Sequence, residues 1–331
     1  MVVNMIYKCK NCGSNIIFNP EKGKMVCPSC QSEDSEEVIE HADEQICNMC
    51  GAQITPEKYA SATKCEHCKT WVILNSKVSE ELKPDLVLPF YISKEQATEI
   101  LRKEFKSRMF TPSDFLSQSS LEELKGSYVP FWLFDYFGKY IYEGVGTKIK
   151  TWRTGNTEYT ETSKYQIRRN LEMDFEKIPA DASFMMEDGV MDLMEPYKYE
   201  QLTGFDSKYL SGFYGEIYND SSEKFESRAK QKANDAAEKN MQSTIDGYAS
   251  VTPVQKNLIL QDKGKKYALF PIWVYTYRFK RVDYKFYVNG QTGKLVGKTP
   301  ISFERVIAVG LSMFVSLLVA AKLLISLLEV L

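Results

Sequence analysis

All eight cysteines of the chain fall into two copies of one spacing, Cys9-x2-Cys12-x14-Cys27-x2-Cys30 and Cys47-x2-Cys50-x14-Cys65-x2-Cys68, with each cysteine of the second copy 38 residues after its counterpart. A Cys-x2-Cys turn aims two thiolates at one point. A second turn supplies the other half, and four sulfurs complete a tetrahedral zinc site with no position left for water or substrate. The pattern predicts two structural Zn2+ ions, held by Cys9, Cys12, Cys27 and Cys30 and by Cys47, Cys50, Cys65 and Cys68. It assigns no catalytic residue. Gly13 and Gly51 follow the second cysteine of each first turn, as expected where the backbone closes tightly around sulfur. Modules of about 35 residues bury too little to fold alone, so metal binding is expected to supply most of their folding free energy. The spacing leaves open whether the ions take sequential or alternate cysteine pairs; the self-contained repeat favours sequential ribbons. Met1 to Asn11 contain no charged-then-apolar leader, which argues for reduced cytosolic thiols over four disulfides.

The other end of the chain carries the second constraint. Val306 to Leu328 are 23 residues whose only charge is Lys322, about 35 Å as a helix and enough to cross a hydrocarbon core of about 30 Å. Lys322 lies close enough to the end of the run to snorkel. Lys298 and Arg305 precede the run and Glu329 follows it, an asymmetry that keeps the N-terminal side cytoplasmic. The expected location is a cell membrane, crossed once. The excess of Arg278, Lys280, Arg281, Lys285, Lys294, Lys298 and Arg305 over Asp283 and Glu304 suits an anionic membrane surface. Ala308, Ser312, Ser316 and Ala320 recur every four residues, giving one helix face on which a second helix can approach closely. The face is expected to pair either with a second copy, giving a homo-oligomer, or with the helix of another membrane protein, and the sequence leaves the oligomeric state open.

Between these ends the composition is that of an ordinary globular protein, with net charge −2 and 13% aromatic residues over 331 positions. Residues 35–44 are acidic and polar and read as a linker between ribbon 1 (residues 1–34) and ribbon 2 (residues 45–76). Ser93 and Gln96 make a capping box for a helix from about Lys94 to Arg108 that buries Ala97, Ile100, Leu101 and Phe105. Residues 84–300 read as a β-rich domain. Tyr128-Val-Pro-Phe-Trp132 and Phe270-Pro-Ile-Trp273 resemble each other, and each continues into a second alternating segment, the pattern of a hairpin. Pro130 and Pro271 suggest strand starts or edges, and Trp132 and Trp273 are expected in the core. Ser221 to Ile245 read as a long helix that covers the sheet or projects from it. Asn289-Gly290-Gln-Thr-Gly293 reads as a turn between two strands. It is not part of a phosphate loop, because Pro300 stands where such a loop needs a helix. The fold class is therefore α+β: two tandem zinc ribbons, a largely antiparallel β-rich domain with covering helices, and a C-terminal transmembrane helix.

Motifs for nucleophilic, metal-hydrolytic or dinucleotide chemistry are missing, and the two histidines, His41 and His67, read as bystanders. Residues 1–76 carry seven lysines, no arginine and ten carboxylates, and each tetrathiolate zinc adds further negative charge. Nucleic acid repels such a module, which argues for a protein partner. The second ribbon, Lys83-Pro84-Asp85, Pro89-Phe90, Tyr128 to Asp135 and Val288-Asn-Gly-Gln-Thr-Gly-Lys294, in that order, resemble bacterial zinc-ribbon proteins found mostly in Firmicutes. Those proteins are often labelled as transcription-factor-IIB-type zinc ribbons or as primosomal, replication-restart helicase-like. A helicase needs a phosphate loop and two motor domains, which do not fit here. The resemblance implies instead a non-enzymatic adaptor at the membrane, beside phage-shock-protein-A-like and SPFH envelope-stress proteins, with nucleic-acid binding linked to transcription or replication as the alternative.

Overall fold

The structure is a computed structural model that describes residues 4–43, 45–79, 82–106, 108–112, 115, 124–186 and 188–328. Strands β1 (Asn4–Cys9), β2 (Ile17–Asn19), β3 (Lys24–Val26) and β4 (Glu36–His41) surround the first cysteine set, and β5 (Ala60–Lys64) and β6 (Trp71–Leu74) belong to the second. The body opens with β7 (Leu86–Val87) and helix α1 (Lys94–Lys106). It continues through β8 (Lys125–Thr154), β9 (Thr157–Asp181), α2 (Asp188–Met194), β10 (Thr203–Gly204), β11 (Tyr214–Glu216), α3 (Glu226–Gln242), β12 (Ser250–Phe279), β13 (Val282–Asn289) and β14 (Leu295–Gly297). Helix α4 (Phe303–Leu328) ends the described chain. The fold is α+β, as the sequence predicts.

Twelve strands form one sheet along the path β10-β7-β12-β8-β11-β5-β6-β1-β4, with β9 beside β8, β13 beside β12 and β14 beside β13; β2 and β3 pair separately. The ribbons are therefore not independent beads. β6 of the second pairs with β1 of the first, Met5 opposite Ile73, and β5 pairs with β11 of the body, Ala62 opposite Gly215. Met5, Tyr7, Ile16, Phe18, Ala62 and Ile73 share one buried cluster with Phe90, Phe213 and Trp273 of the body.

The acidic stretch expected as a linker is instead strand β4, paired along its whole length with β1 from Asn4↔His41 to Cys9↔Glu36. Ile39 packs near Ile6 and Cys47, which draws the segment onto the sheet despite its charge. Its exposed carboxylates then line the outermost strand, where like charge discourages pairing with a second copy of the same edge. Glu44, also assigned to the linker, lies outside the described residues.

A second difference concerns the two related aromatic motifs. The motif at Tyr128 does not turn back on itself: β8 runs for 30 residues, up to about 100 Å, and turns at Gly155-Asn156 into β9. The motifs pair with each other instead, Tyr128 opposite Pro271 and Trp132 opposite Tyr267. The expected hairpin at the second motif is present, β12 pairing with β13. Both prolines lie inside long strands rather than at their starts or edges. Pro130 stands where the flanking neighbour of β8 changes from β11, which ends opposite Tyr128, to β9, which begins opposite Phe131. Pro271 stands likewise between β7, opposite Leu269, and β13, opposite Ile272. A residue with no amide proton fits a seam where no strand offers an acceptor.

Helix α1 starts where expected and ends at Lys106, short of the expected Arg108, with the reciprocal box in place: the Ser93 amide donates to Gln96 Oε1 at 3.0 Å and the Gln96 amide to Ser93 Oγ at 3.3 Å. Ala97, Leu101 and Phe105 are buried and Ile100 is half-buried. The expected helix at Ser221 to Ile245 is shorter, since Ser222–Lys224 wind as a tighter 3-10 turn before α3. Ala229, Ala233 and Ala237 recur at helical spacing, so α3 lies close against Tyr136, Tyr140 and Phe175 of the β8–β9 ribbon. Trp273 is buried, its indole donating to the Ile92 carbonyl at 2.9 Å, and Trp132 is half-buried against the same cluster. The turn at Asn289 is as expected: its buried side chain accepts from the amides of Gln291 and Thr292, and Gly293 has φ +75°.

Candidate metal centres

Each cysteine set gathers to a point, Cys9 with Cys12, Cys27 and Cys30, and Cys47 with Cys50, Cys65 and Cys68, all Sγ atoms of a set within 4.8 Å of one another. The grouping is sequential. Closest Sγ pairs are 3.6 Å (Cys9 and Cys30), 3.5 Å (Cys12 and Cys27), 3.6 Å (Cys47 and Cys68) and 3.8 Å (Cys50 and Cys65). These are not disulfide distances, and all eight thiols are free. A tetrahedron with metal–sulfur bonds of about 2.3 Å has edges of about 3.8 Å, so both sets fit zinc by donor type, number and separation. The two sites are structural Zn2+ sites; what the ion supplies is charge and cross-linking.

One local geometry, used four times, builds them. In each Cys-x2-Cys turn the amide of the residue after the second cysteine donates to the carbonyl of the first: Gly13 to Cys9, Gln31 to Cys27, Gly51 to Cys47 and Lys69 to Cys65, at 2.8–2.9 Å. Those four donors all have positive φ, 75°, 63°, 72° and 63° in that order. Glycine accepts this conformation freely and glutamine and lysine do not, so only half of the recurring position announces itself in the sequence. A second feature repeats with the turns. Ser32 and Thr70 occupy matching positions, two residues past the last cysteine of each set. Ser32 Oγ lies 3.1 Å from both Cys9 Sγ and Cys30 Sγ, and Thr70 Oγ1 lies 3.2 Å from Cys68 Sγ. Comparing residues beyond Cys-Gly across the 38-residue period would have found both.

The thiols differ in how readily they ionise. The Ser32 hydroxyl, helped by the amides of Cys12 and Asn11, holds Cys9 down at about 6. Burial pushes Cys27 up to about 11 and Cys47 up to about 12. At Cys68 burial acts upward too but is outweighed by hydrogen bonds from Thr70, leaving it at about 7. Each set thus joins an easily ionised sulfur to a buried one that needs a cation beside it, the pattern of a metal ligand rather than of a reactive nucleophile. Neither histidine belongs to a set: His67 is exposed and His41 Nδ1 accepts from the Asp43 amide.

The remaining expected site residues do not converge on these centres. Arg278 pairs with Asp283 across the β12–β13 hairpin, whose two-residue turn, Lys280-Arg281, has positive φ at both positions. Lys285 lies on β13, and Lys298 and Arg305 flank the start of α4; all three are exposed. Ala308, Ser312, Ser316 and Ala320 are exposed on α4, with the Ser312 and Ser316 hydroxyls donating to carbonyls of their own helix. The helix is long and apolar enough to span a membrane from Phe303 to Ser326, and none of that stretch is buried within the chain.

A family model described as TFIIB zinc-binding matches residues 7–46, which takes in the first cysteine set together with β4. The chain is 36% identical over 313 residues to "Uncharacterized protein YdjG" of Bacillus subtilis (strain 168), covering 91% of this chain and 92% of that one. No solved structure matches the chain.

Proposed function

The chain belongs to the family of the Bacillus subtilis protein YdjG, and on that premise we propose that it is a non-enzymatic zinc-ribbon adaptor anchored in the cell membrane. The observation that carries this reading is the joining of two closed tetrathiolate sites, through one continuous sheet, to a body that ends in an uncovered apolar helix. Closed sites leave no coordination position for substrate, so the metal serves to present a surface. That surface is acidic: Glu37 and Glu40 are exposed on β4, the last strand of the sheet. An open strand edge with carboxylates suits a basic segment of a protein partner. By the resemblance noted from sequence, that partner belongs among phage-shock-protein-A-like or SPFH envelope-stress proteins. In this reading the ribbons and body are cytoplasmic, Arg278, Lys280, Arg281, Lys285, Lys298 and Arg305 face the anionic leaflet, and the Ala308–Ser312–Ser316–Ala320 face pairs α4 with a second copy.

Nucleic-acid binding is the second reading, favoured by the match to a TFIIB-type ribbon model and opposed by the negative charge of residues 1–76. Affinity capture from detergent-solubilised membranes separates the two. The comparison variant is Glu37→Lys/Glu40→Lys, which leaves every zinc ligand intact. Loss of a co-purifying protein in the variant supports the adaptor. Nucleic acid retained by wild type at physiological salt overturns it. Anchoring is tested by a chain ending at Pro300, expected in the soluble fraction while the full chain resists carbonate extraction.

A further inference from the structure

The turn that follows α1 is fastened to the base of the apolar helix. The Ser302 amide donates to the Phe110 carbonyl at 2.9 Å, and the Arg108 guanidinium bonds Thr299 Oγ1. Ser302 in turn opens α4, its carbonyl accepting from the Val306 amide at 3.0 Å. The turn is closed by the Thr111 amide donating to the Arg108 carbonyl, which puts Met109 and Phe110 at its tip. Thr111 and Pro112 are buried as the chain returns. Met109 is 61% exposed and Phe110 40%, and beside them Ile301 is 59% and Phe303 70% exposed. Four large apolar side chains therefore stand in solvent at the level of the first turn of α4, drawn from segments nearly 200 positions apart in the sequence.

Among the described residues, none of these four side chains is buried against the body. A chain that wanted only a flexible tether would leave the segment before α4 loose, and a solvated turn would carry polar residues at its tip. The charge around the patch is positive: Lys103 and Lys106 are exposed on the end of α1, and Lys298 and Arg305 on the α4 side, against Glu104 and Glu304. Glu104 is already paired with Arg108 at 2.7 Å. Apolar residues at the boundary of a bilayer with lysines and arginines around them make a second, interfacial contact of the kind that adds to a hydrophobic anchor.

We infer that Met109 and Phe110, with Ile301 and Phe303, form a wedge that enters the headgroup region of an anionic leaflet and fixes the body against the membrane beside α4. The inference rests on the membrane-anchor reading and adds to it an orientation. The α1 end of the body lies on the lipid, and the hairpin turn between β8 and β9 points away from it, at the far end of a 30-residue strand that begins beside Leu124, which shares a buried cluster with Leu101 and Phe105 of α1.

The test uses the full chain in vesicles whose acyl chains carry bromine either near the headgroup or near the chain end, with and without phosphatidylglycerol. Phe110→Trp and Met109→Trp each report at the wedge, and Phe314→Trp reports on α4; each is read as the emission added over wild type, which has four tryptophans. The wedge predicts that emission from Phe110→Trp and Met109→Trp is quenched by bromine near the headgroup, more so with phosphatidylglycerol, and that Lys103→Glu/Lys298→Glu abolishes the quenching without changing Phe314→Trp. Quenching of Phe314→Trp with neither wedge reporter quenched overturns the wedge and leaves the anchor standing. Wedge quenching that ignores lipid charge overturns the choice of an anionic leaflet. If no reporter is quenched, the anchor reading fails and the wedge with it.

Discussion

Single residues decide how the chain closes around its metals. Gly51 has φ +72° with no atom within 4 Å of where a Cβ would stand, so alanine there meets only the conformational penalty. Gly51→Ala should lower stability by about 1–2 kcal/mol, measured as thermal unfolding of the zinc-loaded protein; an unchanged midpoint would mean that the turn relaxes. Lys69, in the matching turn of the same site, bears the same conformation without being glycine, which is why the sequence disclosed one turn of each pair and hid the other. A different kind of residue control operates at Glu216. Burial pushes its carboxyl up from the usual range, opposed by the Ser183 hydroxyl and the Phe184 and Met185 amides that donate to it. The folded chain therefore holds this proton more tightly than the unfolded one. Its stabilising contribution is fully present below about pH 4.5 and is lost as pH rises through the raised folded value. Glu216→Gln removes that loss, so its midpoint relative to wild type should climb as pH is raised above about 4.5. A gap that stays constant over this range would show that the carboxyl is not perturbed by folding.

Elements show where pattern reading succeeds and where pairing overrides it. Helix α1 was legible because its cap and its buried face are local: Ser93 with Gln96, and Ala97 with Leu101 and Phe105. The acidic β4 was not, because what makes it a strand is β1, some thirty positions earlier. Nor was the length of β8 and β12, whose aromatic motifs look like two hairpins until they are laid against each other. Pro130 and Pro271 read as strand ends for a sound reason, the absent amide proton, yet each lies at a lateral seam between neighbours that no single sequence displays. Helix α3 makes a sharp prediction at this scale. Its alanine stripe sets the distance to the ribbon, so Ala233→Leu overpacks the contact with Tyr136 and Tyr140 and should cost about 1–3 kcal/mol. Ala236 is exposed on the same helix, and Ala236→Leu should stay within about 0.5 kcal/mol of wild type. Chemical denaturation of both distinguishes a close-packed helix from one that merely rests on the sheet; equal effects would contradict the packing.

At the scale of the whole molecule, the metal sites are part of the body rather than appendages to it. β1, β5 and β6 carry the sheet from the ribbons into β11 and β8, and Cys9 and Cys27 are buried in the same cluster as Phe90 and Trp273. The ligand sets were fully legible in the sequence, since eight cysteines in one repeated spacing leave little freedom. Their fusion to the body was not, because it rests on pairings between short strands with no distinctive pattern. Each four-cysteine set holds one zinc ion, closed to other ligands and structural in role. Elemental analysis of the full chain, purified in detergent under reducing conditions, measures it directly. Two zinc ions per chain and eight cysteines free of disulfide are expected, whereas one ion or none from carefully reduced protein would contradict the two-site structure.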